Sequence, residues 1–476
     1  MSVKTLLFEN IGIRQTIFKN TFWLTLAETT IHFLNLVIVV YAARILGATE
    51  YGKFAFALSF VSLFVIFSDL GLSNITTREF SGEEEKEKEY PSILSLKIIL
   101  SFGAFLIMFI GSFLITTDPT IRSIIWVLTL FILISGFFNI IYAFLHSRQR
   151  MEYDAAAKIL QIVLVASLGF FVLFTNPSSI NLSYAYLSAN LISLVLAMIL
   201  FHYFFYHLKL KFNKNIWKRF LKISWPLSLG FIASWLYINI DSIMMGYLGH
   251  IAEIGWYNAA SKISLAIIIS VSLISRSFYP VLSKFYKESK EKLQHIWEYQ
   301  IKLMIILALP TMIGGFVLAP KIINLFYGES YNSSILAFRI LILVTGISFL
   351  YYPYGMILVV SNQQKRSFYL ILTGAIINII LNLILIPKYS LYGAAVSTAI
   401  ASIIILLLAI IIVKRFTPVS SQNLLGVSIM SVFSGLIMLA VIYLINTSIF
   451  IIIPISVAVY FVVLYLLRHG NILQHS

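Results

Sequence analysis

The chain has 476 residues, 60% of them hydrophobic and only 11% charged, with a mean hydropathy of +0.93. No water-soluble surface can be built from that composition, so soluble enzymes are excluded, and so are soluble nucleic-acid binders despite a net charge of +15. Cysteine is absent, which removes disulfide, iron–sulfur and zinc–thiolate chemistry.

Apolar runs long enough to cross a hydrocarbon core of about 30 Å recur along the whole chain, separated by short polar loops. Strand-type alternation is missing, so the expected fold is an all-α polytopic membrane protein. About fourteen transmembrane helices are expected, near 20–43, 54–73, 93–115, 123–145, 159–175, 182–204, 223–248, 258–280, 300–318, 334–360, 368–386, 391–413, 423–445 and 447–467. The expected organisation is an interfacial segment at 1–19, a six-helix lobe at 20–205 and a basic linker at 206–222. A second six-helix lobe follows at 223–413, then two further helices and a tail at 414–476. With both termini cytoplasmic, roughly 26 of the 34 Lys and Arg fall on the cytoplasmic side and roughly seven opposite, so the basic excess is a topology signal for a multi-pass cell-membrane protein. The first span is long and contains Glu28, which marks a retained anchor and not a cleaved signal.

In chain order, Val3, Leu6, Leu7, Ile13, Ile17 and Phe18 alternate with Lys4, Arg14 and Lys19, a pattern for a short helix in the cytoplasmic interface or a plain polar tail. In the first span Glu28, His32 and Asn35 fall at i, i+4 and i+7, three polar groups on one helix face. Arg44 and Leu46-Gly47 follow. The second span carries a polar stripe of Ser59, Ser62, Asp69, Ser73 and Thr76, interrupted by Ile66. A central Asp costs about 2.5–3.5 kcal/mol in the hydrocarbon unless it faces protein or water, so these two helices are expected to line a cavity; the hydroxyls alone would also suit helix packing. The run SGEEEKEKEYP at 81–91 reads as a solvated face, and HSRQRMEYDAAAK and KLKFNKNIWKRFLK read as surface anchors for anionic headgroups.

Leu46-Gly47 precedes Glu50 and Gly52 as Leu248-Gly249 precedes Glu253 and Gly255, and Ser147-Arg148-Gln149 is echoed by Ser361-Asn362-Gln363. The offsets, about 203 and about 214, argue a six-span repeat with both halves in the same orientation. In the second half Pro226, Pro310 and Pro353 interrupt apolar spans, where each favours a kink. Asp241 lies inside the seventh span beside Asn239. Lys262 and Arg276 are fourteen residues apart in the eighth, one helix face and about 21 Å along the axis. These two, with Arg339 and Arg44, are close enough to span ends for snorkelling to be the alternative role.

No GxxxxGK[ST] run and no soluble nucleotide-binding domain is present, and the eight His lack HExxH spacing. No catalytic residue, metal site or cofactor is expected. Exterior loops of roughly 15 residues or fewer leave little room for a membrane glycan polymerase or ligase. What remains is ionisable residues in spans. Arg44, Arg78, Lys262, Arg276 and Arg339 are the candidates for binding a phosphorylated substrate, since Arg and Lys suit phosphate and pyrophosphate. Glu28, His32, Asn35, Asp69 and Asp241 are the candidates for the polar cavity, where a carboxylate could take up H⁺ or Na⁺ as coupling ion.

The AARILGATEYGKFAFALSF turn, the SDLGLSNITTRE end of the second span and the NLILIPKYSLYGAAVSTAIA turn resemble the polysaccharide biosynthesis flippases. These are the Wzx-type members of the multidrug/oligosaccharidyl-lipid/polysaccharide exporter superfamily, and the resemblance covers nearly the whole chain. It implies two lobes rocking about a central cationic cavity and moving undecaprenyl- or dolichyl-linked sugars from the cytoplasmic to the outer leaflet. Arg44 with Gly47 and Gly52, and Asp69-Leu70-Gly71 with Arg78-Glu79, match the family pattern; Asp241, Lys262, Arg276 and Arg339 rest on physical reasoning alone. The expected partners are a lipid-linked oligosaccharide, membrane lipids and other glycan-assembly proteins, without nucleic acid. The alternatives are an ion-coupled multidrug or cation antiporter of the same superfamily, a membrane glycan polymerase or ligase, and a scaffold in a glycan-assembly complex.

Overall fold

The computed structural model describes residues 7–81, 84–204, 209–415, 421–445 and 447–472. Val3, Lys4 and Leu6 of the expected interfacial segment, residues 206–208 of the basic linker and the last four residues of the tail lie outside the described residues. Among the described residues all regular structure is helical, and twelve helices are long and apolar enough to cross a membrane. Two of the twelve are about twice bilayer length, against the about fourteen separate spans expected from the sequence. Helix α1 (Ile13–Phe64) breaks at Gly47, whose φ of 75° a glycine adopts without steric cost. The helix Gln364–Lys414 breaks at Ser390, with φ 48°.

The chain divides into two compact units, Met1–Gly255 and Trp256–Ser476. In the first, α1 is followed by α2 (Leu72–Phe80), α3 (Tyr90–Ile115), α4 (Pro119–Ser147), α5 (Met151–Thr175), α6 (Ser179–Phe204) and α7 (Lys214–Tyr247). Local sequence sets their starts. Pro119 occupies the first turn of α4 while the Asp118 carboxylate accepts from the Thr120 and Ile121 amides, and Asn213 caps α7 in the same way. The core gathers around Tyr90, Phe138, Phe144 and Phe201. In the second unit α8 (Ile251–Ser277, its first turn in the first unit) leads through α9 (Tyr279–Glu288), α10 (Lys290–Val317) and α11 (Ala319–Tyr327). After these come α12 (Ser334–Val360), α13 (Gln364–Lys414), α14 (Ser421–Leu444) and α15 (Ile449–Ile472). Helices α7, α10 and α12 run on through Pro226, Pro310 and Pro353, and the Pro353 carbonyl accepts from the fully buried Trp297 indole at 3.0 Å.

Several expectations change. The stripe from Ser59 to Thr76 is not one helix: α1 stops at Phe64, and a 3-10 turn at Val65–Ser68 and left-handed Leu70 and Gly71 precede α2. The acidic run forms a 3-10 helix at Glu84–Glu89 that docks on protein: Glu87 is buried against Arg148, at 2.9 Å to its Nε, and Glu89 pairs with Arg219. The Arg148 to Lys158 segment is no lipid anchor either. Glu152 and Asp154 are buried, and Glu152 meets Lys19, itself fully buried, at 2.8 Å. Charges with partners inside a bundle are withdrawn from headgroups.

The repeated turn is present in detail. Amides of Arg148, Gln149 and Arg150 donate to the carbonyls of Phe144, His146 and Leu145; amides of Ser361, Asn362 and Gln363 donate to those of Ile357, Val359 and Leu358. Gln149 and Asn362 share φ values of 55° and 57°. The structural pairing is therefore Gln149 with Asn362, one position off the pairing of Ser147 with Ser361.

Candidate functional site

The site begins where α1 ends. The 3-10 turn and the left-handed pair Leu70-Gly71 free backbone carbonyls that a continuous helix would have used, and that need partners away from water. Lys97 on α3 supplies one: its Nζ donates to the Ser68 carbonyl at 2.8 Å and pairs with Asp69 at 3.0 Å. The Ser73 hydroxyl, in the first turn of α2, donates to the same carboxylate at 2.6 Å. Lys97 has no solvent exposure and Asp69 keeps 22% of its side chain open, so the cation is sealed in and the anion faces a cavity.

That cavity holds about 380 Å³, within the range of small-molecule sites, and belongs wholly to the first unit. Its wall is built from the broken segment with Asn139, Tyr142 and His146 of α4, Lys158 of α5, and Phe231 and Trp235 of α7. Lys158 lies 3.1 Å from Asp154 and 3.8 Å from Glu28, with its ammonium 5.0 Å from the Tyr142 ring centroid. His146 Nε2 is 3.0 Å from Asp154, and Glu28 is 3.4 Å from His32. A chain of ionisable groups thus runs from His32 through Glu28, Lys158 and Asp154 to His146. Each carboxylate of the two clusters has a cation beside it.

Of the sequence candidates, Asp69 lines this cavity, and Glu28 and His32 join it through Lys158. Asn35 is exposed further along α1, and Asp241 is buried in α7. Arg44 is exposed, and neither it nor Arg78 lines the cavity. Arg78 pairs with Glu79 at 3.2 Å, and Lys86 reaches Glu79 at 3.3 Å. Partial burial acts to raise the Glu79 pKa, but the hydrogen bonds and charges of Lys86 and Arg78 hold it below the usual carboxylate value. In the second unit Arg339 donates to the Phe316 carbonyl at 3.2 Å and lies over that ring, whereas Arg276 is exposed with its charge acting on the Tyr352 hydroxyl. Half-buried Lys262 has no ion-pair or hydrogen-bond partner among the described residues.

Lys97, Asn139, His146, Asp154 and Lys158 were missed from the sequence. Lys97 had a signal, a cation four residues into an apolar span, to which the default of a functional intramembrane charge applies. Asp154 and Lys158 had the i, i+4 spacing of a helix pair but stood in a polar stretch that reads as a loop. The second unit holds an apolar cavity of about 400 Å³ among α8, α10, α12, α14 and α15, with walls such as Val271, Pro310, Phe349 and Met438 that offer contact but no charge. Among the described residues no group of three His, Asp or Glu is placed to hold a metal ion.

A family model described as "Polysaccharide biosynthesis protein" matches residues 17–286, and the MatE model matches 226–384. The chain is similar to the capsular polysaccharide biosynthesis protein CapF of Staphylococcus aureus, 23% identical over 79% of this chain and 93% of CapF. It is also similar to the probable low-salt glycan biosynthesis flippase Agl15 of Haloferax volcanii, 21% identical over 76% of each chain. Among solved structures, the lipid II flippase MurJ in its inward closed conformation superposes with a TM-score of 0.77 at 18% identity, over 93% of this chain and 97% of that one. At that identity the likeness establishes the fold.

Proposed function

The chain belongs to the polysaccharide biosynthesis protein family, and from that premise we propose that it is a flippase for polyprenyl-(di)phosphate-linked oligosaccharide. It carries the headgroup from the cytoplasmic to the outer leaflet of the cell membrane by alternating access, for cell-surface polysaccharide or glycan assembly, with both termini cytoplasmic. The task is transport, in which no bond is made or broken. A sugar headgroup cannot cross hydrocarbon unaided, so the carrier must keep hydrogen-bonding groups inside an apolar bundle at the cost of desolvating them. The observation that carries the reading is the cavity at Asp69, a polar chamber walled by apolar spans with acidic and basic side chains held in pairs.

The same observation weighs against a cation antiporter. A bulky organic cation would meet a lysine beside each carboxylate of this wall, since Asp69 is held by Lys97, and Asp154 and Glu28 by Lys158. Lys262 and Arg276, on one helix and without an ion-pair or hydrogen-bond partner among the described residues, are the cations proposed for the diphosphate; Arg44, Arg78 and Arg339 complete the proposed substrate set. Coupling to H⁺ or Na⁺ is assigned to the carboxylates Glu28, Asp69 and Asp241, with His32 and Asn35 as polar neighbours. The test is leaflet translocation in sealed proteoliposomes, comparing a fluorescent polyprenyl-diphosphate oligosaccharide with a cationic dye under imposed H⁺ and Na⁺ gradients. Movement of the glycolipid alone is expected; movement of the dye alone replaces the reading with the antiporter.

A further inference from the structure

Resting on the flippase reading, we infer that the cavity between the broken end of α1, α4, α5 and α7 is a saccharide subsite, which takes one uncharged pyranose ring of the glycan and not the phosphate. The argument starts from charge. Lys97 and Lys158 stand against Asp69, Asp154 and Glu28, all at ion-pair distance, so the wall has no surplus of positive charge to attract a phosphate dianion. Its unspent capacity is for hydrogen bonds. The side-chain amides of Asn74 and Asn139 and the indole N–H of Trp235 line the cavity and have no partner among the described residues. The Tyr142 hydroxyl, buried in the same wall, is also unpaired among them.

Each amide offers two donors and an acceptor, which matches a ring bearing hydroxyls or an acetamido group that both give and take hydrogen bonds. Phe231 and Trp235 of α7 add aromatic surface for the apolar C–H face of such a ring, and a binding pocket of mixed apolar wall and few polar groups is the ordinary form of a small-molecule site. Gly71, with φ 75°, contributes backbone without a side chain to the cavity wall. Phosphate recognition is thereby left to cations outside this cavity, and glycan recognition resides in the first unit.

The chain has no cysteine, so a single one placed in the wall reports occupancy. Val65→Cys, at a partly exposed position of the cavity, is labelled with a maleimide in the full-length protein in nanodiscs. Glucose, galactose and N-acetylglucosamine are tested against inorganic pyrophosphate. At least one neutral sugar is expected to slow labelling, and pyrophosphate is expected not to. In the same background Asn74→Ala or Asn139→Ala should raise the half-protecting sugar concentration about fivefold, the worth of one lost hydrogen bond. Neither amide bonds anything within the described protein, so both variants should keep the thermal midpoint of the parent. Protection by pyrophosphate alone makes the cavity a phosphate site, and protection by none of the probes removes the saccharide assignment. Glycolipid translocation by the unmodified protein is measured alongside. If it proceeds while no sugar protects, the subsite fails and the flippase stands; if it is absent, the flippase reading fails and takes the subsite with it.

Discussion

Lys97 and Asp69 form one ion pair with two unequal halves. Taking the charge from Asp69 by Asp69→Asn leaves an ammonium with no exposure and only a carbonyl and an amide oxygen to face, whereas Lys97→Met leaves a carboxylate that water in the cavity can reach. Asp69→Asn should therefore lower stability by about 3 kcal/mol, more than Lys97→Met, and the double substitution should recover part of the loss. Thermal unfolding of the purified protein in detergent orders the three variants, and equal losses in the two single variants would contradict this account. Glu79, outside the spans, gives the corresponding acid dependence. Its folded pKa lies below the unfolded value, so its contribution to stability is present above the unfolded pKa and fades as pH falls through the folded one. Glu79→Gln should leave less stability to lose on acidification from pH about 5 to about 3, read as a flatter curve of thermal midpoint against pH.

Among the elements, two glycines bring backbone against backbone. A Cβ on Gly52 would lie 2.0 Å from the Ile251 carbonyl oxygen, and one on Gly255 would lie 2.1 Å from that of Ala48. The reciprocity follows from the repeat, since each turn offers its partner a glycine and a carbonyl at matching positions. Gly52→Ala and Gly255→Ala should each disrupt this packing and abolish most transport. Gly47→Ala, which meets nothing within 4 Å, should cost only the backbone strain of a side chain held at φ 75° and ψ 171°, about 1–3 kcal/mol. Translocation rates of the three variants, normalised to folded protein, separate steric from conformational cost. This level also shows what could be read from the chain. Apolar run length and the repeated Leu-Gly turns sufficed for an all-helical, multi-pass fold, and an intramembrane charge was the signal for Asp69, which lines the cavity. The break at Val65–Ser68 was hidden because the apolar pattern continues through it and only Asp69-Leu70-Gly71 marks the turn. The rest of the cavity escaped because Lys97, Asn139, His146 and Lys158 meet through tertiary packing of α3, α4 and α5, and no local spacing encodes which faces of separate helices converge.

For the whole molecule, the unequal distribution of positive charge predicts a direction across the membrane. Roughly 26 of 34 cations fall on one side when alternate loops are counted, and transfer of Lys and Arg across the bilayer is opposed, so that side is expected to remain cytoplasmic. Several of these cations are used within the fold, as Lys19, Arg148 and Arg219 are in pairs with Glu152, Glu87 and Glu89. The pairing happens after insertion, and orientation depends on the Lys and Arg count rather than on net charge, so the bias holds. Ser81→Cys, before the 3-10 helix, and Thr117→Cys, between α3 and α4, are exposed positions at opposite ends of one span. In intact cells a membrane-impermeant maleimide should label Thr117→Cys and spare Ser81→Cys, and permeabilisation should expose the second. The reverse pattern would invert the protein and require the glycan headgroup to be loaded from the outer side.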